Sequence, residues 1–151
     1  MTSEHKNGDL TDRLKRAAAK VMHLGGGPRK IRVLLAEDHV VVRQALSARL
    51  AEEPDIEVID MAASEGRLAL ELTRRHRPDV VVMDFNMPGM NGREATQRIK
   101  EEMPHVVIIA LSMSNDPHTI ESMLKAGASA FLDKSVTVEE LLKTIRKFAP
   151  R

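Results

Sequence analysis

Val80-Val81-Val82-Met83-Asp84 is the segment that most limits what this chain can become. Four consecutive large apolar residues leave a strand no polar face, so both faces must be covered. Strands of that kind belong to parallel sheets with helices on either side, and this one stops on a carboxylate. Comparable β-branched runs occupy 31–36, 56–61, 106–111 and 128–132. Helical periodicity fills the intervals over 39–52, 64–76, 91–102, 116–126 and 137–148. Pro54-Asp55, Pro78-Asp79, Pro104-His105 and Gly127 punctuate the joins. Five strands and five helices in alternation predict a doubly wound α/β domain around a parallel sheet.

The first 28 residues read differently. Leu10, Leu14, Ala17, Ala18, Val21 and Leu24 recur at helical spacing and end at Gly25-Gly26-Gly27-Pro28, a strong helix stop. The expected organisation is a basic amphipathic extension with a glycine-rich linker, 1–28, and a domain over 29–151. A helix this short is marginal alone in water. It must dock on its own domain, on a second copy to make a homodimer, or on another protein. Net charge is near zero, with 23 Lys and Arg against 22 Asp and Glu, but it is unevenly spread. Residues 1–30 hold seven basic side chains against three acidic ones, and the remainder 16 against 19. A mildly acidic body has no electrostatic footprint for direct nucleic-acid binding. The absence of Cys excludes disulfides, thiolate metal sites and a cysteine nucleophile. Since the longest apolar run, 106–111, cannot span a bilayer and the amino terminus lacks a signal-peptide stretch, a cytoplasmic chain without membrane contact is expected.

Ligands of such sheets bind at the carboxyl ends of the strands. Glu37 and Asp38 follow the first strand, Asp84 the third, Ser112 the fourth and Lys134 the fifth. Three carboxylates, a hydroxyl and an ammonium therefore meet on one edge. Two carboxylates ~5 Å apart repel by roughly 3 kcal/mol at an effective dielectric of 20, so the set asks for a cation. Mg²⁺ suits carboxylates with waters and a phosphoryl oxygen. Lys134 and Ser112 would then meet further phosphoryl oxygens. Asp84 becomes a carboxylate nucleophile that forms an aspartyl-phosphate.

At these residues the chain resembles a known family. Val33-Leu34-Leu35-Ala36-Glu37-Asp38-His39, Met83-Asp84-Phe85-Asn86-Met87-Pro88-Gly89-Met90-Asn91-Gly92, Ala110-Leu111-Ser112 and Gly127-Ala128-Ser129-Ala130-Phe131-Leu132-Asp133-Lys134 are similar to the receiver domain of bacterial response regulators. Glu37-Asp38-His39 with Arg43-Gln44-Ala45-Leu46 resembles the subfamily that usually ends in a helix-turn-helix domain. The resemblance implies a flavodoxin-like sheet of order 2-1-3-4-5. It implies that Asp84 accepts phosphate from a sensor histidine kinase or phosphotransfer protein. Glu37, Asp38, Asp84 and the backbone carbonyl of Asn86 would hold Mg²⁺. Lys134 would bridge to the phosphoryl group, Ser112 would move toward it, and Phe131 would swing inward behind Ser112. Pro88 and Gly92 would shape the intervening loop. His39 reads as a surface or capping residue, and Met113 as a shield against water.

The first functional expectation is a stand-alone phosphoacceptor module, because the chain stops three residues past its last predicted helix. It would act on an output protein through the fourth helix, fifth strand and fifth helix. One alternative is the receiver part of a DNA-binding regulator; another is a scaffold receiver that is never phosphorylated. A phosphatase with an aspartate nucleophile would need a second Asp two residues after Asp84, where Asn86 stands.

Overall fold

The computed structural model describes residues 10–16, 29–63, 65–87 and 89–150, of which 60–63 are described by their backbone. The chain divides into two units, residues 1–30 and Ile31–Arg151. In the first unit residues 10–16 are helical and both Leu10 and Leu14 are exposed. Ala17, Ala18, Val21, Leu24 and the linker of the expected amphipathic extension lie outside the described residues.

The second unit runs β1 (Ile31–Ala36), α1 (Val40–Ala51), β2 (Ile56–Ala63), α2 (Gly66–His76), β3 (Val80–Asp84), α3 (Gly92–Glu102), β4 (Val107–Ser112), α4 (Pro117–Ala126), β5 (Ala130–Asp133) and α5 (Val138–Phe148). All five strands are parallel, in the order β2-β1-β3-β4-β5. Strand alternation sorts the side chains into two cores. Val33 and Leu35, Val80 and Val82, and Ile109 and Leu111 face one side, where Leu50 of α1 and Leu141, Leu142 and Ile145 of α5 cover them. Leu34 and Ala36, Val81 and Met83, and Ile108 and Ala110 face the other, under α2, α3 and α4. All five residues of β3 are buried, as a central strand covered on both faces requires. Each fully buried Val, Leu or Ile contributes about 1.5–3 kcal/mol.

Helix ends follow local chemistry. Asn91 accepts the Glu94 N–H and Thr137 the Glu140 N–H at the starts of α3 and α5. Gly127 ends α4 at φ +115°. Two strands differ from expectation by two residues, and β4 by one, running Val107–Ser112 rather than 106–111. Strand β2 runs on to Ala63, and its pairing slips between Leu34 and Ala36, an irregularity that an edge strand tolerates. Strand β5 starts at Ala130 rather than 128, because the left-handed Gly127 turn must straighten before regular pairing resumes.

Candidate functional site

Parallel strand order puts the carboxyl ends of β1, β3, β4 and β5 on one edge, with β1 and β4 flanking β3. Asp84 closes β3 and is 0% exposed. Beside it, Glu37 just past β1 is 2% exposed. Lys134, just past β5, places Nζ 2.9 Å from Asp84 Oδ2 and 3.0 Å from Glu37 Oε2. One ligand atom each from Glu37, Asp38, His39 and Asp84 lies within 4.8 Å of the others. Glu37, Asp38, Asp84 and Lys134 are thus brought together.

The carboxylates have coordination to spare. Asp84 Oδ2, Glu37 Oε2 and Asp38 Oδ1 are buried, and no backbone or neutral side-chain donor reaches them. The first two meet the Lys134 ammonium as ion pairs, and the third lies 3.3 Å from His39 Nδ1. One ammonium does not offset three carboxylates gathered within 4.8 Å, and a hard divalent cation among them would. The donor set therefore fits Mg²⁺. Burial pushes the Asp84 carboxyl above its ordinary range; Lys134 and the Asn86 N–H draw it back, and Glu37 adds to the rise. Burial also works against the Lys134 charge, yet hydrogen bonds with Asp84 and Glu37 outweigh it and hold the ammonium above its usual value.

The loops are fixed by their own polar groups. Asn86 N–H donates to Asp84 Oδ1 at 3.1 Å, which keeps that peptide against the carboxylate. Gly92 N–H donates to the Phe85 carbonyl. A Cβ at Gly92 would stand 2.2 Å from the Asp84 carbonyl, so glycine is required there by close approach. Pro88 lies outside the described residues. Ser112 is the last residue of β4 and 0% exposed; its Oγ accepts the Ser114 N–H, while Ser114 Oγ accepts the Asp116 N–H. The two serines brace the loop, and Asp116 is the residue that precedes α4. Phe131 is partly buried against the α2–α4 core and pairs in register with Ala110. Asp133 Oδ1 accepts the Ser135 N–H at 2.8 Å. Met113 is 73% exposed.

Two contacts went unread in the sequence. His39 is exposed, and its Nδ1 lies 2.6 Å from Glu37 Oε1, while its backbone N–H donates to the same oxygen. That bond, followed by the charges of Asp38 and Glu37, raises the imidazole pKa. Arg43 Nη1 donates to the Glu37 carbonyl at 2.7 Å. The Glu37-Asp38-His39 tripeptide hinted at the first, since a loop this tight turns residue i+2 onto residue i; spacing gave no sign of the second.

The family model for the response regulator receiver domain matches residues 33–146. The chain belongs to that family. Receiver domains are signalling modules of two-component systems, phosphorylated by histidine kinases, and this one is of the NarL/LuxR type. It is 44% identical over 119 residues to the transcriptional regulatory protein LiaR of Bacillus subtilis, covering 77% of this chain and 54% of that protein. It is 35% identical over 120 residues to DegU of Brevibacillus brevis, at 80% and 50% coverage. The chain spans about half the length of the curated relatives it matches. Among solved structures, the signal receiver domain of a NarL response regulator from Mycobacterium tuberculosis has a TM-score of 0.75 at 30% identity, covering 80% of this chain and 96% of that chain. The response regulator domain of Thermotoga maritima CheB gives 0.72 at 31%, with 79% and 96% covered. Among the described residues no helix is long and apolar enough to cross a membrane.

Proposed function

We propose that this receiver, over 29–151, takes a phosphoryl group on Asp84 from a sensor histidine kinase or phosphotransfer protein, in a Mg²⁺-dependent reaction in the cytoplasm. The observation that carries the reading is the fully buried Asp84 carboxylate, with an ammonium 2.9 Å away and two further carboxylates gathered on it. An Asp84 oxygen attacks phosphorus, the P–N bond to the donor imidazole breaks, and the leaving nitrogen keeps the electron pair. Glu37, Asp38, Asp84 and the Asn86 carbonyl would hold Mg²⁺, whose charge when bound neutralises carboxylate and phosphoryl oxygens. Lys134 exchanges part of its hold on Asp84 for a phosphoryl oxygen. The Ser112 hydroxyl accepts from Ser114 and keeps its own hydrogen for a phosphoryl oxygen. Movement of Ser112 lets Phe131 turn inward, which alters the face made by α4, β5 and α5 and its fit to an output protein. The amino-terminal helix is the other contact element, toward a partner or a second copy rather than nucleic acid or membrane.

The test is intact mass after incubation with a small acyl phosphate and Mg²⁺. Wild type gains one phosphoryl group; Asp84→Asn and metal-free wild type gain none. No gain in wild type with any donor, including a kinase, leaves a scaffold receiver instead.

The length of the relatives favours a second reading, in which these residues are the receiver part of a longer DNA-binding regulator. Both readings share the Asp84 chemistry. The open reading frame beyond Arg151 distinguishes them.

A further inference from the structure

We propose that Arg43 is a positioning residue for the Mg²⁺ site: its guanidinium pins the Glu37 carbonyl and so sets the angle at which Glu37 and Asp38 present their carboxylates. The inference rests on the reading of those two residues as metal ligands.

The loop from β1 to α1 is three residues long, and it carries two of the three carboxylates. Ordinary capping does not hold it. His39 makes no side-chain cap on α1, and the first turn contains no acidic residue. Glu37 Oε1 takes the His39 N–H, and Arg43 Nη1 reaches back across the first turn of α1 to the Glu37 carbonyl at 2.7 Å. Arg43 is partly buried and makes no ion pair among the described residues, although Glu37 and Asp38 are its near neighbours in the chain. A cation spent on a backbone carbonyl adds no ion pair to either carboxylate beyond those with Lys134 and His39. It also fixes the peptide plane between Glu37 and Asp38, from which both side-chain directions follow. Groups that orient metal ligands from behind typically change affinity by about 10- to 100-fold when removed.

Charge alone predicts the opposite sign. A guanidinium near the site repels a divalent cation, so its loss would tighten Mg²⁺ binding if electrostatics were all it contributed. Calorimetric titration of the metal-free protein with Mg²⁺ separates the two. Arg43→Met, which removes donor and charge, is expected to weaken binding about tenfold or more, with the metal-free melting temperature within a few degrees of wild type. Arg43→Gln, uncharged but with a donor, is expected to recover part of that loss. Equal or tighter binding in Arg43→Met overturns the proposal. Should Arg43→Met fail to fold, Arg43→Gln carries the test against wild type: several-fold weaker binding supports the role, and equal or tighter binding removes it. A wild-type chain that binds no Mg²⁺ would instead overturn the metal reading itself.

Discussion

Asp84 is held in a setting that works against its own charge. Burial raises its carboxyl pKa above the ordinary 3.8, so the native state binds that proton more tightly than the unfolded chain does. The associated stabilisation is fully present below about pH 3.8 and is lost as pH rises through the native value. Metal-free protein at neutral pH therefore carries a penalty at this residue. Asp84→Asn is expected to stabilise metal-free protein at pH 7 by about 1 kcal/mol, a rise of about 2–4 °C in Tm. The gain should shrink as pH falls toward 3.8. Mg²⁺ should raise the Tm of wild type more than that of the variant. Thermal melts across pH, with and without Mg²⁺, check all three. At the same scale, Met113→Ala tests the expected shield: a shortened phosphoryl lifetime in a mass time course supports it, and an unchanged one discards it. The residue types of the site were legible because each carboxylate, hydroxyl or ammonium ends an apolar run. The bond from His39 to Glu37 was only hinted at by their closeness in the chain, and that from Arg43 was not legible, because it depends on how a three-residue loop folds back.

Elements place those residues, and their joins tolerate little change. A Cβ at Gly92 would stand 2.2 Å from the Asp84 carbonyl and 2.9 Å from Phe85 Cα, both backbone atoms with no room to give. Gly92→Ala should cost about 1–3 kcal/mol in urea unfolding and slow phosphorylation, since relief requires Asp84 itself to shift. Gly66, which opens α2, meets the Met90 carbonyl in the same way. Helix and strand order was readable because the apolar runs and the Pro and Gly punctuation agree along the whole domain. Exact ends were less so: β2 lies at an edge and continues past Met61 to Ala63, where sequence pattern no longer constrains pairing. The first turn of α1 leaves Val40, Val41 and Val42 exposed, and nothing among the described residues covers them.

At the scale of the whole domain, the two cores on either face of the sheet explain why five short strands hold a rigid edge. Distant segments are also tied at the surface. Asp55, just before β2, receives a two-pronged hydrogen bond from Arg146 of α5 at 2.8 and 2.9 Å. That bond, against a small desolvation cost, lowers the Asp55 pKa. Its contribution is present above the unfolded value of 3.8 and is lost as pH falls through the lower native one. Both side chains are well exposed, so solvent screening limits the pair. Asp55→Asn should cost about 0.5–1 kcal/mol at pH 7 and low salt, less in high salt, with the deficit fading in acid. This tie was not legible, because 91 residues separate its partners. The sheet order was anticipated from the family resemblance, whereas composition and periodicity alone leave several doubly wound orders open.

Asp84, and no other carboxylate in the cluster, should receive the phosphoryl group. Borohydride reduction of the phosphorylated protein converts an acyl phosphate to an alcohol, and peptide mass mapping then locates it. Reduction at Asp84 alone, and only after phosphorylation in the presence of Mg²⁺, is the expected result. Reduction at Glu37, Asp38 or another carboxylate would place the acceptor elsewhere, and equal labelling without Mg²⁺ would remove the metal from the reaction.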